Sequence, residues 1–338
     1  MKTFLLLLLC LTTLGAGCVQ QDGGPKGPPP EEFTEQTADR QLTGDFLPET
    51  EASASPESDP MIEGPWNGRF MTAVSRDGLT WNKTSVSLGA QLNVPDLVYG
   101  PDGTLYLYFA GYTLGEEVNK TAVAISEDDG QTWIWKYINW IDKPGANDPG
   151  DPTVLYLEDE GVFRMWATMS MSGENTAHWL DSTDGITFTY QGQAFDVGEN
   201  AIVPSVLDIG GTLHLYTGDH PNKLTWHGVS DDKKTFEFVE KLDLQIEDDR
   251  YPSGASSHFA GNAVPADNGY RMYTYGRTPQ DTGVIGSVFS QDGSTWESEG
   301  VILEVDLIDL ETDFVKDPAV IQRPDGSWFM VYATNIPE

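Results

Sequence analysis

The chain has 338 residues, with 53 acidic against 19 basic side chains and a formal charge of −34. Such an excess argues against nucleic acid as a partner and against an anionic ligand held by charge alone. It suits calcium binding, a salty habitat or plain solubility, and the residues beyond 61 are enough for one large domain with a sizeable core.

Met1-Lys2 followed by the apolar run Phe4 to Leu11 is too short to span a bilayer comfortably and reads as an export signal over residues 1–17. It ends in Leu14-Gly15-Ala16-Gly17-Cys18, which resembles the lipobox of prokaryotic lipoproteins, with Leu14 one place further from the cysteine than usual. The resemblance implies that Cys18 is lipidated and that the protein is exported and held on the cell envelope. Ordinary cleavage and secretion is the alternative. Cys10 lies inside the apolar run, so Cys18 would stand alone after processing and no intrachain disulfide is expected. Residues 18–61 are rich in Pro, Gly, Glu, Ser and Thr, with Pro28-Pro29-Pro30 near one end. A segment of this kind buries too little apolar area to order itself, and its like charges extend it. It reads as an acidic tether to a domain over residues 62–338.

That domain repeats a phrase. Ser75-Arg76-Asp77-Gly78-Leu79-Thr80-Trp81 returns around Asp128, Asp184, Asp232 and Asp292, most fully as Ser126 to Trp133. Self-similarity at a period of about fifty residues points to propeller blades of four strands. Asp and Gly supply a hairpin turn, and Thr-Trp or Thr-Phe opens the next strand with an aromatic for the core. Between these phrases lies a second pattern, an apolar run at a proline followed by a turn and an aromatic strand. It recurs at Val94-Pro95-Asp96, Asp151-Pro152-Thr153, Val203-Pro204-Ser205, more weakly at Gly261-Asn262-Ala263, and at Asp317-Pro318-Ala319. Alternation makes each a strand pair. The domain begins with the second half of a repeat, Arg69 to Val86, and ends with the first half of one. The expected fold is therefore all-β, a five-bladed β-propeller in which the N-terminal strands complete the C-terminal blade and hide the sheet edges.

In a propeller the first strand of each blade lines a channel. The loops entering that strand, with those joining strands two and three, make the functional face. The five phrase aspartates fall on the opposite hairpins and are expected to be structural. Asp96, Asp151, Glu199 and Asp317 converge on the functional face from separate blades, as glycosidic hydrolysis requires of its acid and its base or nucleophile. Asp before Pro can equally cap a strand or bind calcium with backbone carbonyls. Asp219, His220, His258, Asn262 and Arg277 fall on the same face as candidate substrate contacts. The five histidines lack zinc spacing, so no metal ligand is assigned, and calcium is the one ion left open.

Five blades, Asp-Pro-x-Val at inner-strand starts and Ser-x-Asp-Gly-x-Thr-Trp on outer hairpins resemble the five-bladed glycosidases of arabinanase, β-xylosidase and invertase type (glycoside hydrolase family 43). The resemblance covers about residues 62–338 and implies a carbohydrate substrate; beside it, the membrane is expected to be met only through the lipid, and the chain is expected to be a monomer. It places a base or nucleophile on the first blade, for which Asp96 stands two residues beyond the expected place. It makes Asp151 an orienting acid and Glu199, four residues before Val203, the proton donor. Asp317 takes the first role instead if the ring is counted from the last blade.

The hairpin phrase also resembles the Asp-box of sialidases. A sialidase would need six blades and three substrate-clamping arginines, whereas only Arg250 and Arg277 fall on this face. A non-catalytic propeller binding glycan or protein on the same face is the other reading, since fold alone does not fix function.

Overall fold

The computed structural model describes residues 68–111, 120–145, 147–171, 174–219, 222–251 and 255–336. The signal, the tether, Cys18 and His220 lie outside the described residues, and of His258 only the backbone is described. Twenty-two strands and no helix are formed among the described residues. They run β1 Gly68–Ser75, β2 Trp81–Ala90, β3 Leu92–Tyr99, β4 Leu105–Gly111, β5 Lys120–Ser126, β6 Ile134–Tyr137 and β7 Asn139–Ile141. Next come β8 Gly150–Leu157, β9 Val162–Met171, β10 Glu174–Ser182, β11 Thr187–Phe195, β12 Ile202–Ile209, β13 Thr212–Asp219, β14 Leu224–Ser230 and β15 Glu237–Leu242. The last are β16 Leu244–Ile246, β17 Ala255–Ala266, β18 Gly269–Arg277, β19 Gly283–Ser290, β20 Glu297–Leu303, β21 Thr312–Gln322 and β22 Trp328–Asn335.

Consecutive strands pair antiparallel as β3 to β6, β8 to β11 and β12 to β15. The remaining sheet has nine strands. Within it, β17 to β20 meet β21-β22-β1-β2 through one parallel bridge, Gly283 to Phe314. The N-terminal β1 lies along the whole of β22, from Gly68 opposite Asn335 to Ser75 opposite Trp328.

Strands such as β1 and β22 bury nearly every residue, so such a sheet is apolar on both faces and needs a neighbour on either side. Five core clusters supply them. Phe70 and Val331 pack on Leu97 and Phe109, Tyr108 and Val123 on Val154 and Phe163, and Trp166 and Ala177 on Val206 and Leu215. Leu207 and Tyr216 pack on Met272 and Val284, and Tyr273 and Ile285 on Met330 and Val315. The order of interfaces thus returns to the strands from which it began.

The repeated phrase folds as one small hydrogen-bonded unit. Asp77 Oδ1 accepts from the N–H groups of Leu79 and Thr80 at 2.8 and 2.7 Å, and Thr80 Oγ1 donates to Oδ2 at 3.0 Å. Gly78, at φ 72°, donates its N–H to Ser75 Oγ at 2.9 Å. Burial works against the Asp77 charge, but these hydrogen bonds outweigh it and hold the carboxyl at about 2. The unit also grips the adjacent sheet. Tyr108, Tyr216 and Tyr273 donate their hydroxyls to the carbonyls of Gly185, Gly293 and Gly78 at 2.8, 2.6 and 2.9 Å. Trp166 Nε1 does the same to Lys234 O at 3.2 Å. Four of the five phrases are therefore clasps between sheets as well as turns.

Removing one clasp leaves a buried carbonyl without its donor. Tyr108→Phe is expected to lower unfolding free energy by about 1–3 kcal/mol, measured by urea denaturation. A change at an exposed phrase residue such as Gln131→Ala is expected to cost less than about 0.5 kcal/mol.

Candidate active site

The strands β3, β8, β12, β17 and β21 lie against one another in that order, and β21 lies against β3. Each breaks its ladder at the same place. Register shifts fall between Asn93 and Asp96, Gly150 and Thr153, Ile202 and Ser205, Ala260 and Asn262, and Lys316 and Ala319. In four strands the residue before the proline is left-handed, with φ 48° at Val94, 47° at Asp151, 55° at Val203 and 47° at Asp317. Such a backbone costs about 1–3 kcal/mol at a residue other than glycine, and these conformations gather at functional sites. The break re-aims the side chain that carries it.

The residues after three of the breaks form a belt. Asp96 Oδ2 accepts from Val154 N–H at 2.7 Å, Ser205 Oγ from Ala263 N–H at 3.0 Å, and Asn262 Oδ1 from Val320 N–H at 3.0 Å. Asn262 Nδ2 also reaches Asp96 Oδ1 at 3.4 Å. Asp96 is 5 % exposed, and burial lifts its carboxyl to about 8 despite the Val154 and Leu97 N–H groups.

Asp151 and Asp317 occupy the left-handed positions themselves. The Asp151 side chain keeps some solvent contact yet is surrounded by protein. Burial raises it to about 6, with the nearby Asp317 charge adding to the rise. The Thr168 hydroxyl, the Val203 N–H and Lys316 pull the other way. Lys316 Nζ lies 3.6 Å from Asp317 Oδ2 and 4.9 Å from the centre of the Phe314 ring. Asp151 thus feels the charge of Asp317 from a strand that is not its neighbour in the order above.

Glu199 belongs to a different group. It is 57 % exposed at its side chain and pairs with Lys241 Nζ at 3.8 Å. The same ammonium lies 3.0 Å from Asp219 Oδ2 and 3.7 Å from the centre of the Trp226 ring. Burial opposes the Asp219 charge, but the Asn222 amide and Lys241 win and hold it below the ordinary carboxylate range. Arg277, at the end of β18, pairs with Asp281 at 3.3 Å. The His258 backbone pairs with Leu244. Sequence reasoning passed over Lys316 and Thr168. Their only signal was position, beside the Asp317-Pro318 pair and at the end of an aromatic strand.

No three His, Cys, Asp or Glu side chains gather as a metal cluster among the described residues. Neither of the two recesses described is lined by Asp96, Asp151, Glu199 or Asp317. One is lined by the β8–β9 turn with Asp208 and Lys233, the other by Trp81, Lys83, Arg250 and Glu304.

No protein-family model matches the chain. No curated protein matches it either. Solved structures do match in fold. A thermostable family-43 glycoside hydrolase is 16 % identical, with 72 % of this chain and 88 % of that one covered at a TM-score of 0.57. An endo-1,4-β-xylanase from Bacteroides thetaiotaomicron is 18 % identical, with 70 % and 82 % covered at 0.53. An endo-arabinase from the same organism is 19 % identical, with 73 % and 94 % covered at 0.52. The chain therefore has the fold of propeller glycosidases.

The buried acid of the belt gives a pH test. Asp96 has an ordinary value of 3.8 when unfolded and about 8 when folded. The unfolded chain releases this proton first, so its contribution to stability falls as pH climbs from about 4 to 8. Asp96→Asn is expected to remove that fall, raising stability relative to wild type more at pH 8 than at pH 5 by chemical denaturation.

Proposed function

We propose that the domain is a five-bladed β-propeller, closed by β1 and β2 beside β21 and β22, and that it hydrolyses glycosidic bonds. The observation that carries the reading is the pair Asp151 and Asp317. Burial raises the Asp151 carboxyl and the Asp317 charge raises it further, while the Lys316 ammonium lies 3.6 Å from Asp317. The cyclic order of the five core clusters supports the ring. The names of the similar structures supply the class of substrate, a polysaccharide or oligosaccharide.

In the proposed reaction Asp151, protonated up to a pH of about 6, donates its proton to the glycosidic oxygen as the bond from the anomeric carbon to that oxygen breaks. Asp317, beside the Lys316 ammonium, takes the proton of a water whose oxygen bonds the anomeric carbon, or attacks that carbon itself. Asp96 supports the pair from the belt rather than reacting, because its Oδ2 is held by the Val154 N–H. Glu199, on Lys241 and well exposed, meets the substrate further out. One observation favours a binding protein without turnover: the side chain that the resemblance makes the proton donor is ion-paired on its own sheet. We further propose that the acidic segment tethers the domain to a lipid on Cys18.

The mutants separate the two readings. Asp151→Asn and Asp317→Asn are each expected to cut turnover of plant or microbial oligosaccharides at least about a hundredfold, with sugar binding retained. Wild type without turnover across such a panel would leave only the binding reading. Activity requires protonated Asp151, so it is expected to fall as pH rises past about 6. Lys316→Met removes a charge that lowers Asp151 and is expected to shift that fall to higher pH in a kcat/KM profile. For the tether, Cys18→Ser is expected to abolish fatty-acid labelling and free the protein from the membrane fraction.

A further inference from the structure

The hydroxyl of Thr168 joins three strands. Thr168, on β9, stands opposite Gly150 of β8, and theirs is the last pair before that ladder breaks. The next residue along β8 is the left-handed Asp151. Val203, left-handed on β12 at φ 55°, donates its N–H to Thr168 Oγ1 at 3.2 Å. The Thr168 side chain and the Val203 N–H are both hydrogen-bonded to the Asp151 carboxyl. A carboxylate only accepts, and a hydroxyl has one hydrogen to give. With Val203 donating to its oxygen, Thr168 gives that hydrogen to Asp151.

The other inner strands fill the same place differently. Across the last ladder position before the break stand Ala110 against Asn93, Gly218 against Ile202, Thr274 against Ala260 and Ala333 against Lys316. Three of these four have no side-chain donor, and Thr274 is fully buried. Thr168 alone in the row combines a hydroxyl with contact to solvent, and it belongs to the strand pair that carries Asp151. Branching at Cβ restricts its χ1, so the hydroxyl has its direction before a substrate arrives.

We propose that Thr168 is a positioning residue that holds one oxygen of the Asp151 carboxyl and leaves the other to carry the proton. The proposal rests on the hydrolase reading above. A donor hydrogen bond favours the oxygen without a proton, so the acidic hydrogen is kept to the oxygen that serves the glycosidic bond. The same bond steadies the carboxylate left when the proton departs, so losing it makes Asp151 a weaker acid. The charged groups that act on Asp151 are Asp317, which raises it, and Lys316, which lowers it, both on β21. On β3, Asp96 is tied to the Val154 N–H. A substitution at position 168 changes none of these charges.

The test titrates the Asp151 carboxyl of the full chain by carbon-13 NMR, its signal assigned by its absence from the Asp151→Asn protein, beside a profile of kcat/KM against pH. Thr168→Val keeps the side-chain shape and removes the hydroxyl. It is expected to raise the Asp151 midpoint, and with it the alkaline fall of activity, by at least about half a pH unit. It is also expected to lower kcat at least about tenfold with KM held within about twofold. Thr168→Ser is expected to restore both the midpoint and kcat. Should Thr168→Val fail to fold, Thr168→Ala takes its place in the titration. An unchanged midpoint overturns the proposal and leaves Thr168 a tie between β9 and β12. So does a Thr168→Ser protein that behaves like Thr168→Val. If wild type cleaves nothing and the midpoint still moves, the hydrolase reading falls while the hold of Thr168 on Asp151 stands. If wild type cleaves and neither the midpoint nor the alkaline fall moves, the positioning role alone falls.

Discussion

The break in each inner strand is the constraint on which the rest of the site depends. A regular strand turns alternate side chains to opposite faces, so a residue before proline would be committed to one side by its distance from its neighbours. The left-handed turn at Val94, Asp151, Val203 and Asp317 frees it from that rule. The residue after the break then becomes available to the next strand, which is how Asp96 and Ser205 come to accept from Val154 and Ala263; Asn262, after the break at Gly261, accepts from Val320 without a left-handed residue. One backbone device, used repeatedly, both ties inner strands together and carries the two aspartates Asp151 and Asp317. Valine is a costly choice for a positive φ. Its presence at two of these positions indicates that the surroundings impose the geometry and that the aspartates inherit it.

The outer parts of the sheets meet a second requirement. A sheet apolar on both sides is stable only when covered on both sides, and the cover here is always another sheet. Dispersion and burial set the spacing of these layers but leave sliding weakly opposed. The directional bonds from Tyr108, Tyr216 and Tyr273 into the turns of the adjacent sheets oppose it. Hydrophobic packing decides that the sheets stack, and the phrase decides how they align.

The all-β architecture was legible because its signals are local. The Ser-x-Asp-Gly-x-Thr hairpins close their turns with their own Ser, Asp and Thr side chains, so their form follows from their spelling. The pairing of the first strands with the last was legible from the halved repeats. The site was less so. Counting by twos from Asp96 ignores the break between Asn93 and Asp96, and it does not bring this carboxyl to the place that Asp151 holds. Asp96 stands instead in register with Thr153, Ser205 and Asn262. Lys316 carries no motif, and its meaning comes only from β8 and β21 approaching through the fold. The link from Glu199 to Lys241 joins residues on β15 and a distant loop, which no spacing announces.

The pairing of β1 with β22 also sets the order in which the protein can be made. Two of the five core clusters draw on both strands, and neither can be completed while β22 is unsynthesised. The early strands must wait, with Phe70 and Met71 exposed, for a partner at the other end of the described chain. Contacts of such long sequence separation slow folding and leave apolar strands open to wrong partners. A strongly acidic chain is well suited to that wait, because mutual repulsion keeps unfinished copies from pairing with one another.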